Sequence, residues 1–161
     1  MPIRVCVVAV AVLTMLAHAA HAQLITHRDL SLKVALAIAE SALEMCGDTT
    51  SVAIVDRAGH VRVLLEGDNA SPHNAELARR KAYTARTFRV PSAEWAKRTE
   101  PGNAGAGQRM LADVIPLGGG MPIKVGEETI GGVGLSGAMG GQAQEEKCGV
   151  AGISKVAAQL R

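Results

Sequence analysis

Apolar residues recur three and four apart from residue 32 to residue 46. Leu32, Ala35, Leu36, Ala39, Ala42, Leu43 and Cys46 share one face, which predicts an amphipathic helix. Thr26-His27-Arg28-Asp29 has the spacing of a capping box, so the helix is expected to open there and to stop at Gly47-Asp48. The period then changes. Residues 51–56 (SVAIVD) are a short apolar run, 57–59 a turn and 60–66 (HVRVLLE) a partly alternating run, together reading as a β-hairpin. Residues 67–73 (GDNASPH) are turn formers. A helical period returns over 74–88 with Leu77, Ala78, Ala82 and Ala85 inward, and Val90-Pro91 ends it. A short third helix is predicted from 92, then a mobile connector at 101–107 (PGNAGAG). Three extended pieces follow at 114–117, 121–125 and 129–135, and a last helix carries the stripe Val150, Ile153, Val156, Ala157 and Leu160.

The order is therefore α-β-β-α-(α)-β-β-β-α. Short hairpin connections favour an antiparallel sheet, and no alternation of strand and helix demands a parallel one. The fold class expected is α+β, one domain, with the first and last helices burying their stripes on the sheet. No internal repeat or second domain is visible.

Composition narrows the functions. Of 161 residues, 48% are hydrophobic and 20% charged, which suits a globular chain. Seventeen basic against fifteen acidic residues leave a formal charge of +2 with no clustered basic face. Only Tyr83, Phe88 and Trp95 are aromatic, so a base-stacking platform is excluded along with nucleic acid as partner. Residues 1–22 read as a secretory signal: Arg4, an apolar run over 5–17, then Ala20-His21-Ala22 as the cleavage site. The run is too short to span a bilayer, so no stable membrane insertion is expected. The mature domain is expected at 23–161, exported and periplasmic in a diderm host. Cys6 leaves with the signal. Cys46 and Cys148 then remain as an even pair in an oxidising compartment, either as one structural disulfide or as two buried thiols.

Candidate chemistry is sparse. Gly132-Val133-Gly134-Leu135-Ser136-Gly137 fits G-x-G-x-x-G, but too little chain follows for the second strand and ribose-binding acid of a dinucleotide site. Those glycines are read instead as letting a strand pack closely against a helix. His27, His60 and His73 show no metal-ligand spacing. His60 is read as a surface residue. His73 stands at the end of a loop just before a helix, where an imidazole could face a concave site, and His27 is the second candidate. The helix that follows carries Arg79, Arg80, Lys81 and Arg86. Lys81 and Thr84 share a face, and a neighbouring Gly118, Gly119 and Gly120 loop could add amides to hold a carboxylate or propionate.

Four blocks together carry a resemblance: VAIVDRAGHV at 52–61, ELARRKAYTAR at 76–86, LGGGMPIKVGEETIGGVGLSGAMGG at 117–141 and AGI at 151–153. The chain resembles the GlcG/HbpS family of haem-binding and glycolate-utilisation-associated proteins over almost all its mature length. Its cysteines and Pro72-His73 are similar to the secreted branch. The resemblance implies a profilin-like α-β-α domain with a five-stranded antiparallel sheet, homo-oligomers, and haem binding by some members. It places Lys81, Thr84 and the Gly118–Gly120 loop on motif positions. Two departures stand out. Glu145 occupies a position where the family often has Asp, and Leu65-Glu66-Gly67-Asp68 lacks an arginine at the end of the second strand.

The first functional expectation is an exported haem-binding protein that sequesters, buffers or senses the cofactor. His73 or His27 would be its ligand, with Arg80 or Lys81 at the propionates. The alternative is an enzyme or accessory factor for a small hydroxy- or oxo-acid, held by Lys81 and the glycine amides. A third is an interaction module contacting a sensor protein through the basic helix.

Overall fold

The structure, a computed structural model, describes residues 24–161. The signal segment expected at 1–22 lies outside the described residues. Helix α1 is Leu32–Cys46, strands β1 and β2 are Ser51–Val55 and Val61–Glu66, and helices α2 and α3 are Asn74–Phe88 and Ser92–Arg98. Strands β3 (Gly120–Val125) and β4 (Glu128–Ser136) and helix α4 (Gly141–Lys155) follow, with 3-10 turns at Ala106–Met110 and Ala157–Gln159. The sheet has the order β2-β1-β4-β3 and every pairing is antiparallel. The hairpins β1–β2 and β3–β4 are local, whereas the central pair β1–β4 joins distant parts of the chain.

Strand alternation sorts the two faces. Val52, Ile54, Val133 and Leu135 point to α1 and α4, where Ile38, Ala39, Ala42 and Cys148 complete the larger core. Ala53 and Val55 point the other way, to Ala78 and Ala82 of α2. Cys46 and Cys148 are joined, with their Cα atoms 5.9 Å apart, so a disulfide ties the end of α1 to α4 in one layer. The glycine-rich stretch of β4 serves close packing as expected. A Cβ at Gly134 would overlap the Ala78 carbonyl and the Ala82 amide, and one at Gly132 would overlap the Ala82 carbonyl. Helix α2 thus lies almost directly on the strand's backbone.

Four expectations need correction. The sheet has four strands, not five. Residues 114–117 run extended and Val114 and Ile115 are buried, but their backbone pairs with helix side chains rather than with a strand. The Ile115 amide donates to Thr84 Oγ1 at 2.9 Å, and the Val114 carbonyl accepts from Arg80. Helix α1 starts later than the Thr26–Asp29 spacing predicts. Ser31 is the N-cap, its hydroxyl accepting from the Val34 amide at 3.3 Å. Of the expected stripe on the last helix, Val156 is buried and Ile153 and Leu160 pack against the core, but Val150 is 46% exposed and Ala157 is exposed, and within α4 the buried residues are Glu145, Cys148, Gly149 and Gly152. Gly152 lies against the Ile38 carbonyl, 2.5 Å from where its Cβ would stand, so backbone proximity also orients this helix. The 101–107 connector leads into a fastened turn. Arg109 donates to the Ala96 carbonyl at 2.7 Å and to Thr99 Oγ1, and Trp95 Nε1 donates to Gln108 Oε1 at 3.0 Å.

Candidate functional site

The sequence pointed to a lysine beside glycine amides, and the fold does bring them together. Lys81 projects inward from α2 and is 2% exposed. The loop before β3 passes so close that a Cβ on Gly120 would overlap the Lys81 carbonyl, and one on Gly119 would overlap the Glu145 carboxylate. The lysine meets a carboxylate, but it is the chain's own. Lys81 Nζ donates to Glu145 Oε2 at 2.7 Å and to the Leu135 carbonyl at 2.9 Å. Glu145, 4% exposed, accepts the Gly137 amide on its other oxygen at 3.0 Å. The remaining groups are similarly engaged. The Gly118 amide donates to Gln142 Oε1 at 2.6 Å and the Gly120 amide to Ser92 Oγ at 2.8 Å. Thr84 Oγ1 donates to the Arg80 carbonyl at 2.8 Å while accepting from Ile115. A buried ion pair of this kind is stable only where hydrogen bonds engage the remaining valences; here Lys81 Nζ has two acceptors and both Glu145 oxygens accept. Lys81, Arg80, Thr84, Gly118, Gly119 and Gly120 therefore gather in a polar pin joining α2, β4 and α4, in which Lys81 is already paired with Glu145 while Arg80 Nε is buried without a hydrogen-bond partner among the described residues.

The histidines separate. His73 takes the N-cap position of α2 and is exposed, and its side chain makes no capping hydrogen bond. His60 is exposed, with its ring nitrogen 4.0 Å from Asp56. His27 lies in the extended segment before α1 and lines a cleft of about 400 Å³ with Asp29, Arg57, Ala58 and Arg86. Arg86 belongs to the last turn of α2, so about 20 Å of helix separates this cleft from His73 at 1.5 Å per residue. The two imidazoles cannot serve one small ligand.

The cleft is built from three parts of the chain. Asp29 Oδ1 accepts from the Arg57 amide at 3.1 Å and from the Leu30 amide at 2.8 Å, which fastens the segment carrying His27 to the β1–β2 turn. The Arg57 side chain is ion-paired with Glu128 at the start of β4. Arg86 Nε is buried and has no hydrogen-bond partner among the described residues. Burial, with Arg57 and Arg89 nearby, lowers the Arg86 pKa, while Asp29 and Asp56 oppose that shift. The cleft thus offers one imidazole and an underused guanidinium, a setting that favours an anionic group. Spacing alone could not have found it. Arg57 and Arg86 fall in separate family blocks, and only the fold makes neighbours of them.

Residues 27–154 match the model of the HbpS-like family, described as haem degrading protein HbpS-like. The chain belongs to the HbpS-like family. The crystal structure of HbpS superposes with a TM-score of 0.77 at 32% identity, covering 86% of this chain and 97% of that one. The crystal structure of a PduOC:heme complex gives 0.71 at 27% identity, covering 78% and 94%. An uncharacterized 15.0 kDa protein from the dhaT-dhaS intergenic region of Citrobacter freundii is 29% identical over 107 residues, covering 65% of this chain and 75% of that protein. In this HbpS-like chain the motif residues Lys81, Thr84 and Gly118–Gly120 all lie in the polar pin, away from the His27 cleft. Among the described residues no helix is long and apolar enough to cross a membrane.

Proposed function

We propose that this chain is an exported haem-binding protein and that haem is held at the His27 cleft. The observation carrying the reading is the union of an imidazole, His27, with the side chain of Arg86 as lining residues of one concavity. That donor set fits the group. Imidazole is a common iron ligand, and guanidinium pairs well with the propionate carboxylates at the porphyrin's edge. Leu24 and Ile25, 90% and 76% exposed and just before His27, supply apolar side chains for a porphyrin face to cover. The matches to HbpS and to the PduOC:heme complex support the same reading. Bound haem would supply redox and gas-ligand chemistry. The chain's own residues bind and orient: His27 ligates, Arg86 neutralises a propionate, and Asp29 keeps the segment carrying His27 against the hairpin. The disulfide suits an oxidising compartment, where the protein would sequester or buffer haem, or present it to a sensor partner.

The test is a haemin titration of the oxidised protein followed through the Soret band. Saturation is expected, with affinity at least tenfold weaker in His27→Ala and unchanged in His73→Ala. A linear, featureless response overturns the haem reading. Loss confined to His73→Ala moves the site to the start of α2.

A further inference from the structure

Two guanidiniums, Arg57 and Arg86, line the His27 cleft, and the backbone of the first is fixed. Asp29 Oδ1 accepts the Arg57 amide at 3.1 Å, and Asp56 Oδ1 accepts the Ala58 and His60 amides, each at 2.9 Å. Gly59, at φ +85°, seats this turn on α2 so closely that a Cβ there would stand 2.7 Å from the Tyr83 ring. The Arg57 side chain is the part left free to turn. It reaches Glu128 at the start of β4, in a pair whose side chains are 27% and 36% exposed. An ion pair this open to water contributes little, so exchange for another carboxylate is nearly neutral. Even while paired with Glu128, Arg57 stays on the wall of the cleft.

Arg57 also disfavours the charge on Arg86, and Asp29 and Asp56 offset this only in part. Each of those aspartates has already committed an oxygen to backbone amides. Among the described residues Glu128 holds Arg57 alone, and no carboxylate joins the two guanidiniums. A ligand with two carboxylates on one edge would supply what the chain's own acids do not. We propose that Arg57 is the second carboxylate clamp of this cleft and Glu128 its placeholder, so that the cleft selects a ligand carrying two neighbouring carboxylates. The proposal rests on the haem reading, because haem carries both propionates on one edge. One propionate meets Arg86, and the other takes Arg57 from Glu128, whose carboxylate turns to water. A guanidinium fork pairs with either carboxylate in the same way, so the exchange needs only side-chain rotation. Glu128 keeps one of two like charges neutralised, and for that reason it competes with the ligand.

The experiment titrates the oxidised chain with haemin and, separately, with haemin dimethyl ester, which keeps the iron and ring but has no free carboxylate. The Soret band reads both. Wild type is expected to bind haemin about tenfold more tightly than the ester, two charge-assisted contacts being lost in the latter. Glu128→Gln removes the competitor and should tighten haemin about threefold while leaving the ester unchanged. Arg57→Gln should weaken haemin about fivefold, again without moving the ester, and Arg57→Lys, which keeps the charge but loses the fork, should fall between. An ester bound by wild type as tightly as haemin overturns the clamp and leaves the haem reading standing. Variants that shift both ligands alike do the same, as does haemin affinity indifferent to Glu128→Gln. No saturable response to either ligand overturns the haem reading and the clamp together.

Discussion

On one face of the sheet, Val52, Ile54, Val133 and Leu135 meet Ile38, Ala39 and Ala42 of α1 and the disulfide at Cys148. On the other, α2 approaches so closely that Gly132 and Gly134 replace side chains with backbone, and the apolar cluster is the small set Ala53, Val55, Ala78 and Ala82. The first face is held by buried hydrocarbon and a cross-link. The second is held by proximity and by polar side chains: Lys81 to Glu145, Thr84 to Ile115 and Arg80 to Val114. Bulk tolerates exchange of one apolar residue for another. A helix seated on backbone tolerates almost nothing, and its charges cannot be removed singly.

Four changes would break or sharpen this contrast. Replacing Cys46 and Cys148 by Ala should have the largest effect, about 4 kcal/mol, because the bridge closes a long loop in the unfolded chain. Urea unfolding reads it, and an unchanged midpoint would place the strength of the first face in hydrocarbon alone. On the second face, Glu145→Leu leaves Lys81 charged, buried and unpaired, and should cost about 3 kcal/mol. Adding Lys81→Met should recover most of that loss; failure to recover would mean that the pin cannot be replaced by packing. Gly134→Ala should cost about 2 kcal/mol through overpacking against Ala78 and Ala82, and the unfolding midpoint measures it.

The smallest effect belongs to the solvent side of α2. Hydrogen bonding to Arg79 holds the Glu76 carboxyl below the ordinary carboxylate range. A lowered folded-state pKa stabilises above the unfolded value and is lost as pH falls through the folded one. Glu76→Gln should therefore cost less than about 0.5 kcal/mol at neutral pH, given this exposed setting, and nothing in strong acid. Midpoints at both pH values check the difference.

Apart from one strand too many, the order of elements was legible in the sequence, as were the hairpins, the span of α2 and the role of the β4 glycines, because period and turn chemistry are local. The fifth strand was misread for a physical reason. Val114 and Ile115 have strand-like composition, but Arg80 and Thr84 supply their hydrogen bonds from a helix, and hydrophobicity cannot reveal a side-chain partner. The stripe Ile153, Val156 and Leu160 was read correctly, but Val150 was misplaced because Gly149 and Gly152 pack by absence. At the site, the shared face of Lys81 and Thr84 was legible from helical spacing, whereas the approach of the glycine loop was only supposed and the capture of Lys81 by Glu145 was not foreseen. The His27 cleft needed Asp29, Arg57 and Arg86 to meet across three elements, which no local pattern records.

The central strand pair has a consequence for time as well as for structure. Strand β1 finds its inner neighbour only in β4, and α1, which packs on its own hairpin, completes its cover with α4, across 102 residues from cysteine to cysteine. Such closures carry a large entropic toll before any contact repays it, and chains dominated by them fold slowly. The first helix and hairpin cover one another only in part, and must wait for the last third of the chain to complete their core. Once Cys46 and Cys148 are joined, the same search becomes a short-range one. The bridge is then a memory of topology, and an oxidised chain that has unfolded should find its way back much faster than one that has never been closed.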